Sequence, residues 1–512
     1  MGDAPLNSDG TYDLGTYEWI VVIGAFCAFG ASYGIGANDV ANAFATSIGA
    51  KSLSLKQAVI LAGIFEFFGA FLLGSHVTGT IRGSIADLDC FESKPATLMY
   101  GMQCTIFVVG FWLVLASKFE LPVSTTHSTV GGIVGFALVS GGSDCVVWYK
   151  EDDEFPYMKG ISAIVLSWLL SPVLSGICAV ILFGLIRTFV LRSSEPFSRV
   201  FYVYPVIVSF TFIINIFFII YKGAKGLNLD DTPLEIAVAY SFSIGGGLGI
   251  ISCFLLKFLR ARVEKEFENG DTVWNIEGAE KESDAKAFVK DDAEKGGVEL
   301  IAPEVETKKK GMLERDCHTS MKTDSKVFDM HVHAEKFDSK AERVFSYLQV
   351  FTACFDSFGH GANDVANAVA PFATIYMVYT SGKVEKELEL GDNGYWILAM
   401  GGLGIVIGLA TYGYHIIESI GVKLCRITPS RGFAIELGAA IVIIIGSRYG
   451  IPLSTTHCQV GATTGVGMLE GGEGVNWMLL LRIVAGWLLT LVVVGSCTAL
   501  IFAQGLYAPC QI

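Results

Sequence analysis

GIGANDVANAF, Gly34 to Phe44, closes an apolar run with two asparagines and an aspartate, and HGANDVANAV, His360 to Val369, repeats it. The eight residues Gly36–Ala43 and Gly361–Ala368 are identical. Each copy ends a hydrophobic segment of membrane-spanning length. A carboxylate is costly at such depth and marks function by default.

The chain around the cassettes is that of a membrane protein. Of its 512 residues 52% are hydrophobic and 17% charged, with a mean hydropathy of +0.53. Trp19–Gly36, Ile161–Ile186, Tyr202–Ile220 and Trp477–Phe502 carry few or no charges. Runs of about 20 apolar residues cross a bilayer as helices, because only a helix satisfies its own backbone in lipid. The 58 glycines suit close helix packing. The net charge of −14 sits largely in one hydrophilic segment and in outer loops, and gives no footprint for nucleic acid. The acidic N-terminal stretch, without Lys or Arg up to Trp19, does not read as a signal peptide.

The expected fold is an all-α polytopic membrane protein of about twelve spans: 17–36, 57–75, 98–118, 122–142, 160–187, 200–222, 235–259, 344–362, 394–417, 431–447, 452–469 and 477–506. Residues 1–16 form an extracellular tail, 17–190 a first transmembrane repeat, 191–259 a linking pair, 260–343 a cytosolic and largely disordered loop, and 344–512 a second repeat. The loop is rich in Lys, Glu and Asp and can bury little apolar surface.

A second motif is also duplicated. LPVSTTHSTVGGIVG, Leu121 to Gly135, recurs as IPLSTTHCQVGATTG, Ile451 to Gly465. The offsets are 325 residues (Asn38 to Asn363) and 330 (Ser124 to Ser454), with the order preserved. The spans that carry the cassettes are seven crossings apart, an odd number, so the halves enter from opposite faces. Inverted-topology repeats with broken or re-entrant helices are the architecture of secondary transporters. Lys51, Lys56, Lys118, Arg187, Arg192, Arg199, Arg260, Arg262, Lys423, Arg426 and Arg431 fall on one side. That side reads as cytosolic, with both termini outside and the large loop inside.

The chemistry of the motifs divides in two. A span that stops at Gly36 and restarts at Asp39 offers free carbonyls and a carboxylate to Na⁺ or H⁺, so Asn38, Asp39, Asn363 and Asp364 are candidate cation ligands. In the second motif proline favours a helix start. Ser124, Thr125, Thr126, Ser454, Thr455 and Thr456, at helix N-termini, can surround a tetrahedral oxyanion, with Asn42 and Asn367 as further candidates. No arginine cluster lines these spans, so an anion needs co-bound cations. Glu66, Asp356 and Glu436 are further membrane carboxylates and candidate sodium ligands. His127 and His457 read as donors capping nearby carbonyls. His360 faces Ile35 in the repeat, so any role is one-sided. Most cysteines are buried hydrophobes. Cys90 and Cys145, both in loops placed outside, are left open as a disulfide.

These residues resemble the inorganic phosphate transporter (PiT) family, whose hallmark is a duplicated GANDVANA-type signature. The resemblance, nearest to the fungal-type sodium-coupled phosphate symporters, covers both halves. It includes FEFFGAFLLGSHVTGTI, YLQVFTACFDSFGHGANDVANA and TPSRGFAIELG. It implies symport of phosphate with Na⁺, or H⁺ in some members. It also implies that Asn38, Asp39, Asn363, Asp364 and both Ser-Thr-Thr blocks belong to the substrate and cation sites. Glu66 and Glu436 match family glutamates. One departure stands out: many members carry aspartate where this chain has Ala31, and here an aspartate occupies the equivalent place in the second half, Asp356.

The resulting expectation is a multi-pass plasma-membrane symporter, not an enzyme, that brings inorganic phosphate into the cell with sodium by alternating access around a midplane site. No cofactor is expected beyond the co-transported ion. A cell-negative potential, worth about 2.3 kcal/mol per charge per 100 mV, assists only if cation charge exceeds anion charge. Proton coupling and a phosphate-sensing receptor with little flux are the alternatives. A hydrolase built on Ser124 or Ser454 and the nearby His lacks an orienting acid. The expected partners are phosphate, sodium and the bilayer, with a homodimer left open and no nucleic acid.

Overall fold

The computed structural model describes residues 4–8, 10–39, 41–153, 157–221, 229, 232–269, 324–384 and 394–508. Most of the 260–343 loop, residues 270–323, therefore lies outside the described residues. Its described ends are helical rather than disordered. Helix α8 runs on from Leu234 to Glu268, and α9 (Ser325–His333) precedes α10 (Ser339–Ser381). Asp324 and Asp338 cap α9 and α10 by accepting main-chain N–H bonds.

The rest is a helical assembly whose only described strands are the two-residue pair Lys150–Glu151 and Met158–Lys159. The first half holds α1 (Glu18–Asn38), α2 (Ala41–Gly49), α3 (Leu55–Gly83), α4 (Pro95–Lys118), α5 (Thr125–Gly141) and α6 (Ile161–Ile186). Helices α7 (Pro196–Ile220) and α8 pack on each other between the halves. The second half holds α10, α11 (Tyr395–Tyr412), α12 (Tyr414–Gly421), α13 (Pro429–Arg448), α14 (Thr455–Met468) and α15 (Trp477–Tyr507).

Nine helical segments among the described residues are long and apolar enough to cross a membrane, against about twelve expected. The difference has a physical cause. Helix α5 has 17 residues and α14 has 14, short of a full crossing. Helix α10 is long enough at 43 residues but carries the second cassette. Large side chains such as Phe26, Tyr202 and Phe254 lie exposed on the outer faces of these helices, as lipid contact requires.

The cassette glycines fasten the two halves together. A Cβ on Gly36 would stand 1.9 Å from the carbonyl oxygen of Ile405 in α11, and one on Gly361 2.3 Å from that of Glu66 in α3. Each cassette therefore lies against the backbone of a helix from the opposite half.

The two motif-bearing turns differ from a simple hairpin. Helix α4 ends at Lys118, beside an exposed Glu120 that reaches Lys423 at 3.4 Å. The chain then runs back inward as an extended stretch, and α5 starts among buried residues. Tyr449, after α13, is exposed in the same way, and α14 starts buried. Helix α5 leads to a disulfide between Cys145 and Cys90. Helix α14 leads to Glu470, paired with Arg431 at 2.6 Å. Helix α6 links these two places. Ile161 N–H bonds Val147 O beside the disulfide, and Arg187 at the far end donates to Leu469 O at 2.9 Å. Its 26 residues cover about 39 Å, more than a hydrocarbon core. Helices α5 and α14 thus run outward to opposite faces from a common centre.

One expectation about the backbone is corrected. Helix α1 ends at Asn38 and α2 begins at Ala41, two residues on from the expected Gly36 and Asp39, but α10 continues from Ser339 to Ser381 with no break at Gly361–Asp364. The side chains differ as well: that of Asn38 holds Leu121 O and Val123 N–H, whereas that of Asn363 bonds Ser447 Oγ.

Candidate functional site

The N-termini of α5 and α14 meet at the centre. Thr126 Oγ1 donates to Leu453 O at 2.8 Å, and Thr456 Oγ1 lies 3.4 Å from Val123 O, the reciprocal contact. Ser124 and Ser454 are the N-caps, each accepting from the N–H of the histidine three residues on, at 3.3 Å. Each hydroxyl proton remains to be donated elsewhere. Two helix N-termini directed at one place bring their partial positive charges together, a setting that suits an anion.

Two carboxylates stand at the same place. Asp39 and Asp364 are 1% and 0% exposed. Thr125 Oγ1 lies 2.9 Å from Asp39 Oδ2 and 3.1 Å from Asp364 Oδ1, and its single proton serves one of them at a time. Thr456 donates to Asp39 and Thr455 to Asp364. Asn367 donates to Asp364 Oδ1 at 2.8 Å and to Thr125 Oγ1 at 3.0 Å. Six of the expected residues, Asp39, Asp364, Thr125, Thr455, Thr456 and Asn367, thus form one hydrogen-bonded set. The side chain of Asn42 lies outside the described residues.

His360 completes the set. Its Nε2 stands 2.9 Å from Asp364 Oδ2 and its Nδ1 3.0 Å from Glu66 Oε2. Ser357 donates to the other oxygen of Glu66 at 3.0 Å. Asp39, His360 and Asp364 each offer a ligand atom within 4.8 Å of the others. Alkali cations favour oxygen over imidazole nitrogen, so the carboxylates and hydroxyls fit such an ion and His360 fits the role of orienting them. The sequence signal for His360 was its i, i+4 spacing to Asp364 on one helix.

The other candidates divide. Glu436 is not in this set. It sits in its own nest, accepting from Thr46 (2.6 Å), Ser47 (2.7 Å), Gln349 (3.1 Å) and Thr352 (2.6 Å). Those four partners come from α2 and α10 and were not legible beforehand. Asp356 is buried, and its Oδ1 has no hydrogen-bond partner among the described residues. Asn38 does not face the carboxylates. Its amide donates to Ser117 Oγ and Leu121 O, and its Oδ1 accepts from Val123 N–H at 3.0 Å. Asn363 donates to Ser447 Oγ at 2.9 Å.

Of the two histidines of the second motif, His457 caps a carbonyl, and His127 Nδ1 has no hydrogen-bond partner among the described residues. His457 Nδ1 lies 2.9 Å from Trp168 O. His127 stacks on Trp168 at 3.6 Å and His457 on Trp487 at 3.7 Å. Those tryptophans expose a third duplication, WLLSPVLSG at Trp168–Gly176 and WLLTLVVVG at Trp487–Gly495. Gly135 packs against Gly495 O and Gly461 against Pro172 O, so each short helix lies on the long helix of the other half.

Residues 35–498 match the model of the phosphate transporter family. The chain is 29% identical to the phosphate-repressible phosphate permease of Neurospora crassa, over 97% of this chain and 99% of that protein. Among solved structures it resembles one described as the sodium-dependent phosphate transporter, with a TM-score of 0.71 and 31% identity. The match covers 96% of this chain and all of the other.

Proposed function

Because this chain belongs to the phosphate transporter family, and so is a multi-pass membrane transporter rather than an enzyme, we propose that it carries phosphate into the cell together with sodium, by alternating access. The observation that carries this reading is the sharing of hydroxyl protons at the centre. Thr125, Thr455 and Thr456 give theirs to Asp39 and Asp364. Phosphate needs those same protons, and its charge needs compensation in a buried site. Sodium bound by the carboxylates frees the hydroxyls for phosphate, so each substrate prepares the place of the other.

In this reading Asp39 and Asp364 hold sodium, joined by Glu66 through His360, with the Glu436 nest and Asp356 as further cation positions. The α5 and α14 N-termini, with their Ser and Thr hydroxyls and Asn367, hold phosphate. The sodium dependence printed for the similar solved structure supports sodium as the coupling ion. Twelve crossings in two inverted repeats, a plasma-membrane location and both termini outside complete the reading. The Cys90–Cys145 disulfide supports that orientation, because disulfides persist on the oxidising side. The hydrogen-bonded His360–Glu66 pair beside Asp364 favours proton coupling as the second reading.

Uptake of radiolabelled phosphate into proteoliposomes tests the proposal. Flux driven by an inward sodium gradient supports it, and flux driven only by protons moves the coupling to the His360 chain. Phosphate binding with no flux under either gradient would leave a sensor.

A further inference from the structure

The two cassette asparagines occupy equivalent places and make unequal bonds. Ser117 Oγ donates to Leu113 O at 2.8 Å, and Ser447 Oγ to Ile443 O at 2.9 Å. With its one proton spent, each serine can only accept from the neighbouring asparagine. That fixes the orientation of both amides: Asn38 Nδ2 on Ser117 at 3.1 Å, Asn363 Nδ2 on Ser447 at 2.9 Å. Up to this point the halves agree.

Beyond it they part. Asn38 also holds the extended stretch before α5, through Leu121 O at 2.9 Å and Val123 N–H at 3.0 Å. The corresponding places before α14 are Ile451 and Leu453. Among the described residues neither bond to Asn363 is formed, and the buried Asn363 Oδ1 has no hydrogen-bond partner. The backbone follows the same asymmetry, since α1 ends at Asn38 and α10 passes straight through Asn363. An unpaired buried carbonyl costs about 1–3 kcal/mol, so a geometry that satisfies it is favoured elsewhere in the cycle.

We propose that Asn38 and Asn363 are alternating latches, positioning residues that hold the two inward stretches, 121–123 and 451–453, one at a time. In the state described here the Asn38 latch is closed and the Asn363 latch open. In the opposite state Asn363 Oδ1 takes the Leu453 N–H and Asn38 releases Val123. The inference rests on the transport reading for its place in alternating access. Because each stretch carries a Ser-Thr-Thr helix start, exchange of the latches transfers the hold on phosphate from one half to the other.

Hydrogen–deuterium exchange on the full-length protein in proteoliposomes tests this, read on peptides covering 119–125 and 449–455. Asn38→Ala is expected to speed exchange at 121–123 about tenfold, the worth of one or two hydrogen bonds. The same variant is expected to slow exchange at 451–453. Asn363→Ala leaves 451–453 fast and 121–123 at least as protected as before. A merely structural role for Asn38 loosens its own stretch and leaves the other unchanged, which overturns the proposal. Loosening of 121–123 by Asn363→Ala overturns it too. If Asn38→Ala does not fold, Ser117→Ala, which removes only the anchoring hydroxyl, is read in the same way. Phosphate uptake by the unaltered protein is measured in the same vesicles. Sodium-driven uptake without reciprocity removes the latches alone, and reciprocity without uptake removes the transport reading alone.

Discussion

The hydroxyl of Thr456 donates to the carboxylate of Asp39 across 417 residues of chain. Thr125 returns the relationship, from the first half to Asp364 in the second, at 3.1 Å. Each carboxylate is therefore held by a threonine from the other half. Neither half contains a complete site, and a movement between the halves acts directly on the hydrogen bonds that the substrates compete for.

Asp39→Asn and Asp364→Asn are expected each to lower sodium-driven phosphate uptake at least about tenfold, since a hydrogen bond to a charged group is worth about 1.5–3 kcal/mol. Both variants keep the shape of the side chain, so elution as a single folded species is expected. Near-normal uptake in both would remove the cation role assigned to them.

Thr456→Val keeps the branched shape and removes the proton that Asp39 now receives. The phosphate concentration for half-maximal uptake is expected to rise at least about tenfold. Thr456→Ser, which keeps the hydroxyl, is expected to remain within a fewfold of the parent protein. Equal loss in both variants would point to packing of the methyl group instead of the proton.

His360→Gln can keep a hydrogen bond to Glu66 but cannot span to Asp364 as the imidazole does. A fall in sodium affinity is expected, with the phosphate affinity at saturating sodium little changed. Isotope uptake measured over a sodium series separates the two constants, and a loss confined to phosphate would contradict the assignment.

Gly361→Ala sets a Cβ 2.3 Å from the Glu66 carbonyl oxygen, a main-chain atom that has to shift. Overpacking of this kind costs about 1–3 kcal/mol, and a lower thermal midpoint is expected. Gly79→Ala is the control, because nothing lies within 4 Å of its added carbon. Equal midpoints for the two variants would show that α3 and α10 yield easily.

At the face where α14 ends, Glu335 accepts from Arg192 at 2.8 and 2.9 Å and from Arg187 at 2.7 Å. The Arg192 bonds, and then those of Arg187, hold its carboxyl below the usual carboxylate range against the effect of burial. A depressed folded value contributes stability that is fully present above the unfolded value of about 4.3 and is lost as pH falls through the lower folded one. Glu335→Gln is expected to flatten the decline of the thermal midpoint in that acid window and to leave its shape at neutral pH unchanged.

The duplicated motifs made much of the centre legible, because Asp39, Asp364 and the paired threonines are marked by identity in two blocks repeated in the same order. The Cys90–Cys145 bond, left open by the sequence, is formed in the structure. The partners of Glu436 were not. Thr46, Ser47, Gln349 and Thr352 reach it through the packing of α2 and α10 on α13, a register that no local spacing reports. The continuity of α10 was hidden for a related reason. Identical cassettes predict identical helix breaks, yet only the first breaks its helix, and the two asparagines bond differently. Trp168 and Trp487 were legible in principle, but their offset of 319 residues departs from that of the motifs beside them.

The meeting of Thr456 with Asp39 also bears on how the chain is made. A ribosome adds roughly 5–20 residues per second, so Asp39 enters the bilayer tens of seconds before Thr455 and Thr456 exist. Throughout that interval its carboxylate lacks a partner that the finished protein supplies, and the early helices have no reason to close around it. A truncated product ending before residue 455 would keep only the Thr125 hydroxyl for Asp39 and would never gain that of Thr456.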